Sequence, residues 1–128
     1  MAQRSDRKVL IVEDEMLLRL IGSDTLAEAG FEVLEADNAD AALLLLAQDR
    51  DVQLLFTDIR MPGSMDGLEL ARIVHERWPT IKILLTSGDT WPPRDAIPDD
   101  GRFIAKPYRL SKLEQEISAL MAERRSSA

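Results

Sequence analysis

The stretch LLFTDIRMPGSMDG, residues 54–67, decides how the rest of the chain is read. Leu54, Leu55 and Phe56 are apolar at consecutive positions, which suits a strand buried on both pleat faces. Asp58 follows within two residues, and Pro62, Gly63 and Gly67 then break the chain into a loop. Taken alone, Asp58 is a turn residue. It means more if other charged side chains arrive at the same edge.

Strand and helix signals alternate on both sides of this stretch. KVLIVE (8–13) and FEVLEA (31–36) read as strands, VQLLFT (52–57) as the third, IKILLTS (81–87) as the fourth and RFIA (102–105) as the fifth. Between the first two, residues 15–29 carry Leu18, Ile21, Thr25, Leu26 and Ala29 at helical spacing, and Gly30 supplies a C-terminal cap. Asn38 caps a second helix with Ala42, Leu43 and Leu46 on its apolar side. A third spans 67–77, with Leu68, Leu70, Ala71 and Val74, and ends at Trp78-Pro79 because the residue before proline avoids the α region. A last helix over 110–124 presents Leu113, Ile117, Leu120 and Met121. The pattern is that of an α/β fold, a doubly wound parallel sheet covered on both faces. One segment breaks it: GDTWPPRDAIPDDG (88–101) holds Pro92, Pro93 and Pro98, so a regular helix is not expected there.

Composition sets the outer limits. The chain has 128 residues, which suits a single domain, 1–128, with its core at about 7–122. There is no cysteine, which excludes disulfides and thiolate metal sites. The N-terminal MAQRSDRK lacks the apolar run of a signal peptide, and no stretch is long enough to span a membrane, so a cytoplasmic protein without membrane contact is expected. The net charge of −7 argues against nucleic-acid binding, which needs a basic face.

In an open parallel sheet, ligands bind beyond the carboxyl ends of the strands. Strand one ends in Glu13-Asp14, strand three in Asp58, strand four in Thr86-Ser87-Gly88, and strand five in Lys106-Pro107. The carboxylates, a hydroxyl and an ammonium therefore converge on one edge. Clustered carboxylates raise one another's pKa unless a cation sits among them. With oxygen ligands only, a hard ion such as Mg²⁺ is the cofactor indicated. Metal, ammonium, hydroxyl and a carboxylate nucleophile are the parts needed to accept a phosphoryl group. Each piece has a plainer role: Glu13-Asp14 as a helix cap, Ser-Gly and Lys-Pro as common dipeptides. Their conjunction in strand order carries the inference.

Glu13-Asp14, TDIRMPGSMDG, Ser87-Gly88 and FIAKP together resemble the receiver domain of bacterial two-component response regulators, over roughly residues 7–122. The resemblance implies the flavodoxin-like strand order 2-1-3-4-5. It implies Asp58 as phosphoacceptor, Asp14 as a direct Mg²⁺ ligand, Glu13 as the neighbouring acid acting through water, and the backbone carbonyl of Arg60 as a further ligand. Lys106 would pair with the acyl phosphate, with a cis Lys106-Pro107 bond, and Phe103 matches the aromatic switch position. The hydroxyl role falls to Thr86 or Ser87, and the small Gly88 that follows favours Ser87.

Departures from the family pattern are also visible. Glu13 stands where Asp is commoner, Gly63-Ser64 lengthens the loop by one residue, and 88–101 replaces the usual fourth helix, making it short, irregular or absent. Arg60 and Asp89 are placed either to pair across the crevice or to point to solvent. His75 lies mid-helix and reads as surface or packing rather than as a phosphodonor.

The expected function is a phosphoaccepting receiver, not an enzyme beyond its own phosphotransfer and dephosphorylation. It would be fed by a histidine kinase or histidine phosphotransfer protein and act on a downstream protein target, as monomer or weak dimer. Output by protein contact follows from the lack of room for another domain after residue 125. A degenerate receiver serving as a phosphorylation-independent adaptor is the alternative, disfavoured by intact Asp14, Asp58 and Lys106. A haloacid-dehalogenase-type phosphatase is less favoured, because Arg60 stands where that family places a second Asp.

Overall fold

The structure, a computed structural model, describes residues 7–63, 65–89, 91–98 and 101–122. Five strands, β1 (Lys8–Val12), β2 (Glu32–Ala36), β3 (Val52–Asp58), β4 (Lys82–Ser87) and β5 (Arg102–Ala105), form one sheet. Its order is β2-β1-β3-β4-β5, with all neighbours parallel. The helices are α1 (Met16–Glu28), α2 (Ala39–Gln48), α3 (Gly67–Arg77) and α4 (Leu110–Ala122). The sequence reading anticipates this order and alternation. The end of its last helix, 123–124, lies outside the described residues.

Strand alternation sorts the core into two layers. Leu10, Val12, Leu55, Ile83 and Leu85 pack with Ala42 and Leu46 of α2 and Leu70, Ala71 and Val74 of α3. Val9, Ile11, Leu54, Phe56, Leu84 and Ile104 pack on the other face with Leu26 of α1 and Leu113, Ile117 and Leu120 of α4. The apolar runs are thus continuous because both pleat faces are covered. Asn38 caps α2 by accepting the Ala41 N–H at 2.8 Å, as its position before the helix implies. Lys8, only 8% exposed, is tolerated at the start of the central β1 because its ammonium meets Asp49 at 2.8 Å.

One helix face differs from the reading. The buried residues of α1 are Gly22, Ser23 and Leu26, while Leu18 and Ile21 remain 42% and 40% exposed. The helix starts at the strand tips, so its first turns overhang the sheet, and only its second half lies against the strands. Leu18 and Ile21 instead line a groove with Gly88, Lys106, Pro107 and Tyr108.

The crossover from β4 to β5 carries only a three-residue 3₁₀ turn, Arg94–Ala96. Ile97 packs against the α2/α3 layer from this strap. The Gly101 N–H donates to the Pro98 carbonyl at 2.8 Å. The prolines thus produce the short, irregular element that the sequence implies.

Candidate functional site

Parallel register and alternation build the site from the α1/α4 layer. Ile11 pairs with Phe56, Phe56 with Leu84, Asp58 with Thr86, and Thr86 with Ile104. Two residues further along each row, the apolar side chains give way to Glu13, Asp58, Thr86 and Lys106. These four therefore project from one face, at the carboxyl ends of adjacent strands. Asp58 is 6% exposed and Glu13 also 6%, so both carboxylates are buried.

Lys106 binds the two acids together. Its Nζ donates to Asp58 Oδ2 at 2.7 Å and to Glu13 Oε1 at 3.1 Å. The second Glu13 oxygen accepts the Glu15 N–H at 3.1 Å, and the Arg60 N–H donates to Asp58 Oδ1 at 3.3 Å. Burial raises the Glu13 pKa; the Glu15 N–H opposes this, the neighbouring Asp58 charge adds to it, and Lys106 works against it. Burial pulls the Lys106 ammonium down, but its bonds and attraction to Asp58 and then Glu13 win, so its pKa is raised. Burial also raises the Tyr108 hydroxyl, whose ring meets Phe56 edge-on at 6.1 Å. The Lys106-Pro107 peptide is cis.

Glu13, Asp14 and Asp58 each offer an oxygen within 4.8 Å of the others. A hard divalent ion such as Mg²⁺ fits this donor set. All its ligands are oxygen, and clustered carboxylates need more counter-charge than one ammonium provides. Glu13 and Asp14 are not the cap of α1, whose N-cap is Glu15 with no side-chain cap bond.

The two candidate hydroxyls differ in placement. Ser87, which the sequence reading favours, follows Leu85 and so belongs to the row of the opposite face. Its Oγ donates to Asp89 Oδ1 at 3.2 Å within the strap. Thr86 stands in register with Asp58 and is 2% exposed, and among the described residues its Oγ1 has no hydrogen-bond partner. On this placement Thr86, rather than the Ser87 that the sequence favours, is the hydroxyl in register with the Asp58 carboxylate. Matching FTD (56–58) to LLT (84–86) by pleat parity is the signal that finds it.

Arg19 is also absent from the sequence reading. It donates to the Glu13 carbonyl at 2.8 Å and pairs with Glu35 at 3.1 Å, fixing the turn that presents the acids. Arg60 and Asp89 pair at 3.3 Å across the mouth, the first of the two arrangements anticipated for them. Phe103 lies on the α2/α3 face, where Trp91 covers it at 5.1 Å between ring centroids. His75 is on α3, away from the acids, lining a groove with Glu69, Arg72, Asp95 and Ile97.

A doubly wound sheet with this acidic cluster at its strand tips is the architecture of a receiver. The chain belongs to the response regulator receiver domain family, whose model matches residues 9–118. It is 36% identical over 119 residues to the response regulator receiver protein CpdR of Brucella abortus, covering 90% of this chain and 97% of that one. It is 31% identical over 120 residues to a chemotaxis protein CheY homolog of Campylobacter jejuni, covering 89% and 92%. Among solved structures, the receiver domain of NtrX from Brucella abortus superposes with a TM-score of 0.82 at 28% identity, covering 91% and 99%. Among the described residues, no helix is long and apolar enough to cross a membrane.

Proposed function

We propose that Asp58 accepts a phosphoryl group from a phosphohistidine of a histidine kinase or phosphotransfer protein, and that the chain signals to a downstream protein by contact. The observation that carries this reading is the Asp58 carboxylate, held at 2.7 Å by Lys106 within a cluster of two further acids at the strand tips. Lys106 and the Arg60 N–H fix the carboxylate, each bonded to one of its two oxygens. An Asp58 oxygen forms the bond to phosphorus as the N–P bond breaks, and the departing imidazole nitrogen keeps the electron pair. Lys106, fully charged at neutral pH, then moves from the carboxylate to a phosphoryl oxygen.

Asp14, Asp58 and the Arg60 carbonyl would hold Mg²⁺ directly, with Glu13 reached through water. When bound, the ion offsets the negative charge of the carboxylates and of the phosphoryl oxygens. Thr86 is the hydroxyl that meets the phosphoryl group, because its unpartnered oxygen stands in the Asp58 row. Phe103 is the aromatic side chain that responds.

Intact-mass measurement after treatment with acetyl phosphate and Mg²⁺ tests the reading. A gain of one phosphoryl group is expected, and Asp58→Asn should abolish it. An undiminished gain in the variant would refute the assignment.

A further inference from the structure

The strap between β4 and β5 is tied to the site at one end and to the core at the other. At the site end, Asp89 accepts from Ser87 Oγ at 3.2 Å and pairs with Arg60 at 3.3 Å. At the core end, Ile97 packs under the α2/α3 layer, and a Cβ on Gly101 would meet Ile97 Cγ2 at 2.9 Å, so these two residues approach closely. Between the ties stands Trp91, 73% exposed, its indole laid on Phe103 at an angle of 57°. Pro92 and Pro93 follow at once, and Pro93 is extended, with φ −62° and ψ 150°. The indole is therefore carried by a stiff backbone. Asp89 stands two residues before it in the chain.

The site-end tie is built to yield. Both partners are well exposed, at 67% and 64%, so their attraction is screened by water. Arg60 also lies two residues after Asp58, with its N–H 3.3 Å from Asp58 Oδ1. A phosphoryl group on Asp58 carries a charge of about −1.5 to −2 and offers strong acceptor oxygens. It attracts the Arg60 guanidinium and repels the Asp89 carboxylate. Both effects pull the same pair apart.

We propose that the Arg60–Asp89 pair is a charge-operated clasp, and that its opening on phosphorylation lifts Trp91 from Phe103. This rests on Asp58 being the phosphoacceptor. The clasp makes the strap, in place of a helix, the element that reports the state of the site, and Trp91 is its moving part.

The test uses the full chain carrying Trp78→Phe, which leaves Trp91 as its one indole. Samples treated with acetyl phosphate and Mg²⁺ are divided between intact-mass measurement and acrylamide quenching of Trp91 fluorescence. A mass gain accompanied by a rise in the quenching constant is expected. Phe103→Ala should raise the constant without phosphorylation, and in Asp89→Asn the mass gain should leave it unchanged. A mass gain with constant quenching in the Trp78→Phe chain overturns the clasp while sparing the phosphoacceptor reading. An unchanged constant in Phe103→Ala, or a full response in Asp89→Asn, also overturns it. Failure to gain mass overturns both.

Discussion

A methyl group added at Gly67 would stand 2.0 Å from the carbonyl oxygen of Asp58 and 2.8 Å from Ile59 Cα. Gly67 opens α3, and its N–H donates to the Ile59 carbonyl at 2.8 Å, so the helix start is drawn onto the strand end that carries Asp58. Both obstacles are backbone and neither can rotate away. Relief requires the helix and the strand end to part by more than an ångström, an overpacking that costs about 1–3 kcal/mol. Gly22 is the internal control. It is buried in α1, yet a Cβ there meets only Ile11 Cδ1, at the ordinary contact distance of 3.6 Å. Gly22→Ala should therefore gain the helix preference of alanine, about 0.8–1 kcal/mol. The two substitutions, chemically identical, should differ by roughly 2–4 kcal/mol with opposite signs. Urea unfolding reads this directly: with m of about 1–3 kcal/mol/M, the midpoints should fall roughly 0.7 M or more apart. Gly67→Ala should also slow phosphorylation, since the displaced carbonyl belongs to Asp58 itself. Equal midpoints, or a Gly67→Ala chain as stable as the parent, would refute the reasoning.

Three further outcomes are expected. Asp14→Ala should weaken Mg²⁺ binding, followed by tryptophan fluorescence, more than Glu13→Ala does, because Glu13 is already engaged by Lys106 and the Glu15 N–H; equal affinities would contradict the ligand roles. Thr86→Ala should disturb the response to phosphorylation, read as the change in amide chemical shifts, more than Ser87→Ala does, and the reverse order would restore the serine. Asp49→Asn should lose about 1.5 kcal/mol of stability near neutral pH, the worth of a charge-assisted bond to a nearly buried Lys8. The Lys8 bond holds the Asp49 carboxyl below its ordinary range, so its contribution is present above about pH 4 and disappears as pH falls through the folded value. The same bond raises Lys8, whose contribution is present below about pH 10.4 and disappears as pH rises through the folded value. Urea titrations of parent and variant should converge at both extremes, and a constant gap across pH would exclude the pair as its cause.

The elements were legible because burial on both faces leaves apolar runs such as VLIV and LLF, and because Asn38, Gly30 and Trp78-Pro79 mark helix ends. The converging acids and Lys106 were legible because chain order already puts them after their strands. The strand order and the cis peptide came through the resemblance, since no local signal states which strand neighbours which. The placement of the two hydroxyls is not legible locally: Gly88 gives a local argument for Ser87, whereas the pairing of Asp58 with Thr86 is a cross-strand fact. The face of α1 was misjudged for a related reason. Helical spacing in Leu18 and Ile21 is real, but where the sheet ends beneath the helix is a tertiary fact. The contact of Trp91 with Phe103 likewise joins residues whose proximity depends on the path of the strap.

The rows that run from Phe56 to Asp58, from Leu84 to Thr86 and from Ile104 to Lys106 give the sheet something like a reading frame. A slip of β3 by one residue would put Thr57 where the carboxylate belongs and turn Asp58 toward α2 and α3, away from Lys106. It would also carry Leu54 and Phe56 from one oily layer to the other. No frameshifted sheet can therefore keep the chemistry while losing the packing, or keep the packing while losing the chemistry. A misregistered chain loses the acidic cluster and the packing together, so the cluster at Asp58 assembles only on molecules whose core is in frame.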